Sequence, residues 1–129
     1  MDHQTRTRVM ALLTAALAGC ATYPENVSHL YGERYYRANS RTFPTVITAI
    51  DGQSTMVRAK PVPVEPGQHV IQLHTAPAAG FTLPETRELS LNVEPCKRYY
   101  IVAERENRLL QDWRPVIDYV ENAGGRYCR

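Results

Sequence analysis

The four histidines are spaced in a way that does not predict a metal site. His69 and His74 lie five positions apart in an alternating apolar stretch that is typical of a strand. Side chains five positions apart on a strand point to opposite faces, so these two imidazoles cannot share a metal ion. His29 lies in a separate polar stretch, and His3 lies in a leader that we expect to be removed. The sequence therefore predicts no metal and no cofactor.

The nucleophiles and carboxylates also form no catalytic pattern. No serine lies in the Gly-x-Ser-x-Gly turn of the serine hydrolases. Asp118 and Glu121 are three positions apart on a predicted strand and point to opposite faces, so we expect them, with Asp112, to be solvated rather than an acid–base pair. We predict that the protein is not an enzyme. The alternative is a hydrolase-like envelope enzyme whose site only the fold assembles.

The three cysteines are explained by export. Cys20 follows a short apolar run and would be modified with lipid on export. Cys96 and Cys128 then remain as an even pair. In an oxidising compartment such a pair is expected to form a disulfide; the alternative is two free buried thiols. Their spacing matches no zinc-binding pattern.

Residues 1–19 have the features of a signal peptide. Arg6 and Arg8 precede an apolar run of about a dozen residues, whereas a membrane-spanning helix needs about 20. The run ends in Leu17-Ala18-Gly19-Cys20, which resembles the bacterial lipobox. That resemblance implies that Cys20 carries palmitate and other acyl chains and becomes the first residue of the mature protein. Ala21 in place of an aspartate implies the outer membrane, with the domain facing the periplasm.

Charge and aromatic residues narrow the kind of partner. The chain has 15 Lys and Arg against 13 Asp and Glu, a net charge of +2, and the two signs are interspersed. This gives no one-sided positive field, so we predict no nucleic-acid partner. In the polar stretch 20–42, which we interpret as a tether, Tyr35 and Tyr36 would either dock on a partner or pack against the domain.

Trp113, with Arg114 beside it, is open to two interpretations. An exposed tryptophan next to an arginine could stack on a sugar ring or anchor a protein partner. Alternatively, the indole fills the interior of the domain beside the disulfide. We prefer packing for Trp113 and for the two tyrosines, and keep all four residues as candidate binding residues.

From Phe43 onward, short strands alternate with turn signals at intervals of about 8–12 residues, as in all-β folds. The clearest is Arg87–Glu94, where apolar and polar residues alternate strictly. We predict a small antiparallel, immunoglobulin-like β-sandwich over residues 43–129, with six or seven strands. A short helical turn around Asn26–Tyr36 is the one helix considered beyond the leader. The expected core residues are Ile71, Leu73, Leu89, Leu91, Val93 and Ile101.

Two stretches also resemble known envelope proteins. Ile50-Asp51-Gly52, then Pro61, Val62 and Val64, then Pro66-Gly67-Gln68-His69-Val70-Ile71 resemble a PEGA-type module, a small β-sandwich of bacterial surface proteins. Residues 96–103 and 112–115 are similar to uncharacterised envelope lipoproteins. The resemblance implies a sandwich, an envelope location and a binding role, with no catalytic residues.

These observations together predict a membrane-anchored envelope lipoprotein that acts as a non-catalytic binding or assembly module. Its partner would be another envelope protein or cell-wall glycan. An exposed aromatic patch on a sheet face would favour binding, whereas a deep pocket with convergent acids or histidines would favour an enzyme.

Overall fold

The computed structural model describes residues 25–32, 41–55, 61–78, 80, 83–126 and 128, and every regular element among them is a β-strand. The all-β class is therefore confirmed. Seven of the eight described strands lie in the predicted domain, in agreement with the expected six or seven, and an eighth, β1, precedes it. The pairing is mixed because β1 runs parallel to β7. The strands are β1 (Ser28–Tyr31), β2 (Thr42–Ile50), β3 (Gln53–Ser54), β4 (Val62–Val64), β5 (Gly67–Thr75), β6 (Thr86–Val93), β7 (Lys97–Glu104) and β8 (Arg114–Asn122).

The strands form two layers that share β2. One layer has the order β4-β1-β7-β8, and the first residues of β2, Thr42–Pro44, also pair with β7. The second layer has the order β3-β2-β5-β6 and uses the later residues of β2. A strand that passes from one sheet to the other is a usual way of making a corner in a sandwich. No helix in the described part of the chain is long and apolar enough to cross a membrane.

The core lies between these layers and is built by strand alternation. From Tyr99 onward every second residue of β7 is buried, and β5 shows the same pattern in its second half. Of the six predicted core residues, four are buried and two, Leu89 and Leu91, are partly buried and pack against the others. The buried cluster is Leu30, Ile47, Val64, Ile71, Leu73, Val93, Tyr99, Ile101, Ala103 and Trp113.

The predicted tether contains strand β1, so the expectation of an irregular segment over residues 20–42 is wrong there. Ser28 and Leu30 are buried, and the Ser28 hydroxyl donates to the carbonyl oxygen of Glu94 (2.5 Å) while accepting from the amide of Lys97 (2.8 Å). The helical turn considered around Asn26–Tyr36 is not found in the described residues 26–32, of which Ser28–Tyr31 form β1. The strand was missed because it is only four residues long and one of its two inward residues is a serine.

β7 runs between two chemically different ends of the domain. Cys96, just before β7, forms a disulfide with Cys128, with a Cα–Cα distance of 5.6 Å, so the predicted pairing is confirmed. We call this the disulfide end. Beyond the last residue of β7 lie Arg105 and, after a turn, Trp113, and we call this the tryptophan end. Eight residues of strand separate the two ends by roughly 25 Å.

Candidate functional site

Two connecting segments are joined at the tryptophan end. The side-chain amide of Gln111 accepts from the amide of Ala78 (2.8 Å) and donates to the carbonyl oxygen of Leu83 (2.8 Å). The indole Nε1 of Trp113 donates to the carbonyl oxygen of Glu85 at 3.2 Å. These bonds tie the connection before β8 to the connection before β6, so side chains from both segments are held at one surface.

Trp113 is a packing residue at this end. Only 4% of its surface is exposed, and it belongs to the buried core cluster. An indole buried in this way does not offer a flat face for a sugar ring. The preferred interpretation of Trp113 as an interior residue therefore agrees with its burial, but its predicted place beside the disulfide is wrong. It lies before the first residue of β8, whereas the disulfide lies beyond the other end of β7.

Three leucines in the two segments joined at the tryptophan end are exposed to solvent. The exposed fractions are 76% for Leu83, 67% for Leu109 and 47% for Leu110, the highest among the exposed large hydrophobic residues of the described chain. Leu109 and Leu110 are neighbours in sequence, and the Gln111 bond to the Leu83 carbonyl brings the third leucine to the same end. We call these three residues the leucine patch. A cluster of exposed apolar side chains is a mark of an interaction surface.

Beside the leucine patch lies a cavity of about 610 Å³, which we call the tryptophan cavity. Its wall includes Leu110, Trp113, Arg105 and Arg114. Arg114 is exposed and forms an ion pair with Glu104, with an Nε–Oε1 distance of 3.0 Å. Both binding candidates from this part of the sequence thus reach the cavity, Trp113 as part of its buried wall and Arg114 at its charged rim.

Arg105 is a residue of this site that sequence reasoning missed. It is only 3% exposed; its guanidinium lies 4.8 Å from the ring centroid of Phe43, and its Nη2 donates to the carbonyl oxygen of Ala76 at 2.6 Å. Its Nε is buried without a hydrogen-bond partner. Burial lowers the pKa of the guanidinium. The inward alternation of β7 continues to this position, and that pattern could have indicated burial.

The remaining sequence candidates do not converge on a catalytic site. Oδ1 of Asp112 lies 3.1 Å from Nη2 of Arg87. Oε1 of Glu121 lies 3.3 Å from Nη1 of Arg98, in the layer that contains β7 and β8. In the described ranges, no group of three or more His, Cys, Asp or Glu side chains is arranged to hold a metal ion. Cys20, Tyr35 and Tyr36 lie outside the residues that the structure describes.

His69 is engaged in a local bridge between two turns. Its Nδ1 lies 2.6 Å from Oδ2 of Asp51, and its Nε2 lies 2.7 Å from the carbonyl oxygen of Glu65. The hydrogen bond to Asp51 raises the pKa of His69, and the Glu65 carbonyl adds to this effect. The other oxygen of Asp51 accepts from the amide of Val70 (2.8 Å). With both ring nitrogens in use, this imidazole has a structural role.

A row of tyrosines crosses the outer face of the layer that contains β7. The ring centroids of Tyr31 and Tyr100 are 4.8 Å apart in a stacked arrangement, and those of Tyr100 and Tyr119 are 5.8 Å apart. Tyr100 thus lies between two tyrosines on the neighbouring strands. Cross-strand aromatic contacts of this kind stabilise a sheet, so we assign the row a structural role.

Comparisons of the chain with protein-family models, with curated proteins and with solved structures found no match. The resemblance to PEGA-type modules and envelope lipoproteins stays a prediction from the residues quoted above.

Proposed function

We propose that the protein is a lipid-anchored lipoprotein of the bacterial envelope that acts as a non-catalytic binding or assembly module. The signal-peptide pattern of residues 1–19 and the lipobox-like ending at Cys20 support the anchor. The even pair of cysteines, joined in a disulfide, agrees with an exported domain. The domain would face the periplasm, held at the outer membrane through Cys20.

The observation that carries the binding role is the leucine patch at the tryptophan end. Leu110 lines the same cavity as the charged residues Arg114, Glu104 and Asp112, and exposed aliphatic side chains beside charged ones agree with a protein interface that has an apolar centre and a polar rim. Leucine offers no flat aromatic face to a sugar ring, and Trp113 is buried. We therefore propose that the partner is another envelope protein rather than cell-wall glycan.

The experiment compares a leucine-patch variant with a matched control variant. We expect the double substitution Leu83→Ser and Leu109→Ser to reduce recovery of the partner from crosslinked envelopes at least about tenfold, because each buried leucine contributes roughly 1.5–3 kcal/mol. Val70→Ser removes an exposed apolar side chain on β5, away from the patch, and is the control. Quantitative mass spectrometry of the recovered proteins measures the difference.

Equal recovery with the double variant and with the control would contradict a partner site at the tryptophan end. The anchor is tested separately by mass spectrometry of the mature protein, which should begin at an acylated Cys20. An intact leader or an unmodified N-terminus would contradict the lipoprotein assignment.

A further inference from the structure

Arg105 holds a charge in the interior with no opposite charge next to it. No carboxylate of the described chain forms an ion pair with Arg105, whose guanidinium contacts the Phe43 ring and donates to the Ala76 carbonyl. An arginine cannot readily lose its proton, and a buried charge without a partner is unfavourable. A cation in this position at the wall of a cavity indicates a site for an anion.

The acids near Arg105 are engaged elsewhere. The tryptophan cavity is lined by three acids, of which Glu104 is bound by Arg114 and Asp112 by Arg87. Glu106, the third, is exposed beside the cavity. Two of the three acids of the cavity are therefore paired with other arginines, and Arg105 shares the cavity wall with Arg41 and Arg114.

We propose that Arg105 binds a carboxylate in the tryptophan cavity. A guanidinium has five N–H donors in one plane, and its side-chain bond to the Ala76 carbonyl uses one of them. The planar fork matches the two oxygens of a carboxylate, and the Phe43 ring below it holds the fork in position. The unpartnered Nε belongs to this fork and has no acceptor in the described part of the chain.

The neighbouring leucine patch indicates where the carboxylate comes from. Leu110 lines the same cavity as Arg105, so a carboxylate on an apolar chain could contact both. An acidic side chain or a chain terminus of the partner protein, flanked by apolar residues, has this chemistry. The inference rests on the proposed binding function for its biological source, but the carboxylate site itself can be tested with small probes.

The test is an NMR titration of the protein purified from the envelope in detergent and labelled with ¹⁵N-arginine. The probes are sodium acetate, N-acetyl-leucine, its neutral amide N-acetyl-leucinamide, and inorganic phosphate. We expect acetate and N-acetyl-leucine to shift the Arg105 Nε–H resonance and the neutral amide to leave it unchanged. N-acetyl-leucine should bind about tenfold or more tightly than acetate, since one leucine side chain is buried with the charge.

Variants separate this site from a general effect of anions. Arg105→Gln should weaken N-acetyl-leucine binding roughly 10- to 100-fold, the range for hydrogen bonds to a charged group. Arg105→Lys keeps the charge but not the planar fork, so its affinity for N-acetyl-leucine should lie between those of wild type and Arg105→Gln. Arg98→Gln removes the same charge at the other end of β7 and is the matched control. The wild-type resonance remains a direct measurement if a variant fails to fold.

Equal shifts with N-acetyl-leucine and with its amide would overturn the carboxylate site, as would a response to phosphate alone or to none of the probes. Equal affinity for acetate and N-acetyl-leucine would leave the carboxylate site in place but remove the apolar partner chain as its source. Loss of partner recovery in the leucine-patch experiment is a separate outcome, so failure of one proposal is not failure of the other.

Discussion

At the scale of single residues, the bridge between Asp51 and His69 links the turn after β2 to the start of β5. Asp51 has a left-handed backbone (φ 51°), and its carboxylate accepts from the amide of Val70 and contacts the His69 ring. The Val70 amide bond is the largest cause of the lowered pKa of Asp51, followed by the His69 bond. The pKa of His69 is raised above its ordinary value of 6.5.

These two shifts predict how stability depends on pH. Folding raises the pKa of His69, so the contribution of His69 to stability is full below pH 6.5. That contribution is lost as the pH rises through the raised pKa. Asp51 contributes above its ordinary pKa of 3.8 and loses that contribution as the pH falls through its lowered value. The bridge therefore contributes most to the stability of the fold between pH 3.8 and pH 6.5. His69→Gln should remove the loss of stability at alkaline pH, which thermal unfolding from about pH 5 to about pH 9 would measure.

A variant with both Asp51→Asn and His69→Gln is the control for this experiment. It should show the same pH slope as His69→Gln alone, because Asp51, whose pKa is lowered from 3.8, stays ionised throughout this pH range. Burial and the nearby Arg98 lower the pKa of His29, so this residue contributes a pH dependence of opposite sign. The difference between wild type and His69→Gln isolates the bridge. A wild type whose stability did not decline relative to His69→Gln at alkaline pH would contradict this account.

The residues of the candidate site were only partly predictable. The sequence singled out Trp113 and Arg114 because large aromatics and arginines are common in interfaces, and both line the tryptophan cavity. It favoured an interior place for Trp113, which is buried, but not the end of β7 at which the indole lies, because that position involves a contact with Glu85, 28 positions away. The exposed leucines were also missed, because exposure is decided by tertiary packing and not by residue type.

At the scale of elements, Gly32 is required where β1 ends against β2. Its carbonyl oxygen accepts from the amide of Thr45 at 2.9 Å. A Cβ at this position would lie 2.3 Å from the carbonyl oxygen of Thr45, far inside van der Waals contact. The Thr45 hydroxyl donates to the carbonyl oxygen of Ile101 (2.9 Å), so this contact joins three strands. The chain after β1 must therefore stay close to β2.

We predict that Gly32→Ala destabilises the domain by about 1–3 kcal/mol, the usual cost of overpacking a close contact. Gly124→Ala is the matched control, because a Cβ there has no neighbour within 4 Å. Urea unfolding of the two variants gives the comparison. If both variants had wild-type stability, β1 would not be packed against the domain as described.

Strand positions followed closely from sequence, whereas strand pairing did not. The alternation in β6 and β7 is visible because each strand has one buried face. Pro61 and Pro63 lack an N–H, which favours an edge strand or an irregular stretch, and they flank Val62 of the edge strand β4. The parallel pairing of β1 with β7 joins segments about 70 positions apart and leaves no local pattern. β3, with two exposed residues, also has no apolar signal.

The disulfide closes the end of the domain at which β1, β7 and β8 meet. The Cys96 amide donates to the carbonyl oxygen of Asn26 (3.2 Å), and the Cys96 carbonyl accepts from Ala123 (2.8 Å). Cys128→Ser should therefore lower the free energy of unfolding by about 2–5 kcal/mol, as is typical for small secreted domains. Chemical denaturation measures the loss, and non-reducing peptide mapping should recover the linked pair from wild type. Two alkylatable thiols in the native protein would contradict the pairing.

At the scale of the whole molecule, the two ends of β7 separate the proposed anchor from the proposed partner site. Eight positions separate Cys20 from Ser28, the first residue of β1, and an extended chain of that length spans at most about 28 Å. This is a shorter connection than a tether extending to residue 42 would provide. β1 starts at the disulfide end, so a lipid on Cys20 would hold that end near the bilayer, with the leucine patch roughly 25 Å farther along β7.

The most direct test is site-specific photo-crosslinking in intact cells from two positions. A photo-reactive residue at Leu109 samples the tryptophan end, and one at Gly124, which is also exposed, samples the disulfide end. We predict a specific envelope-protein adduct from Leu109 that is absent from Gly124 and lost when Cys20→Ser removes the anchor. The same adduct from both positions, or an adduct from Leu109 that persists unchanged with Cys20→Ser, would contradict an anchored module that binds its partner at the tryptophan end.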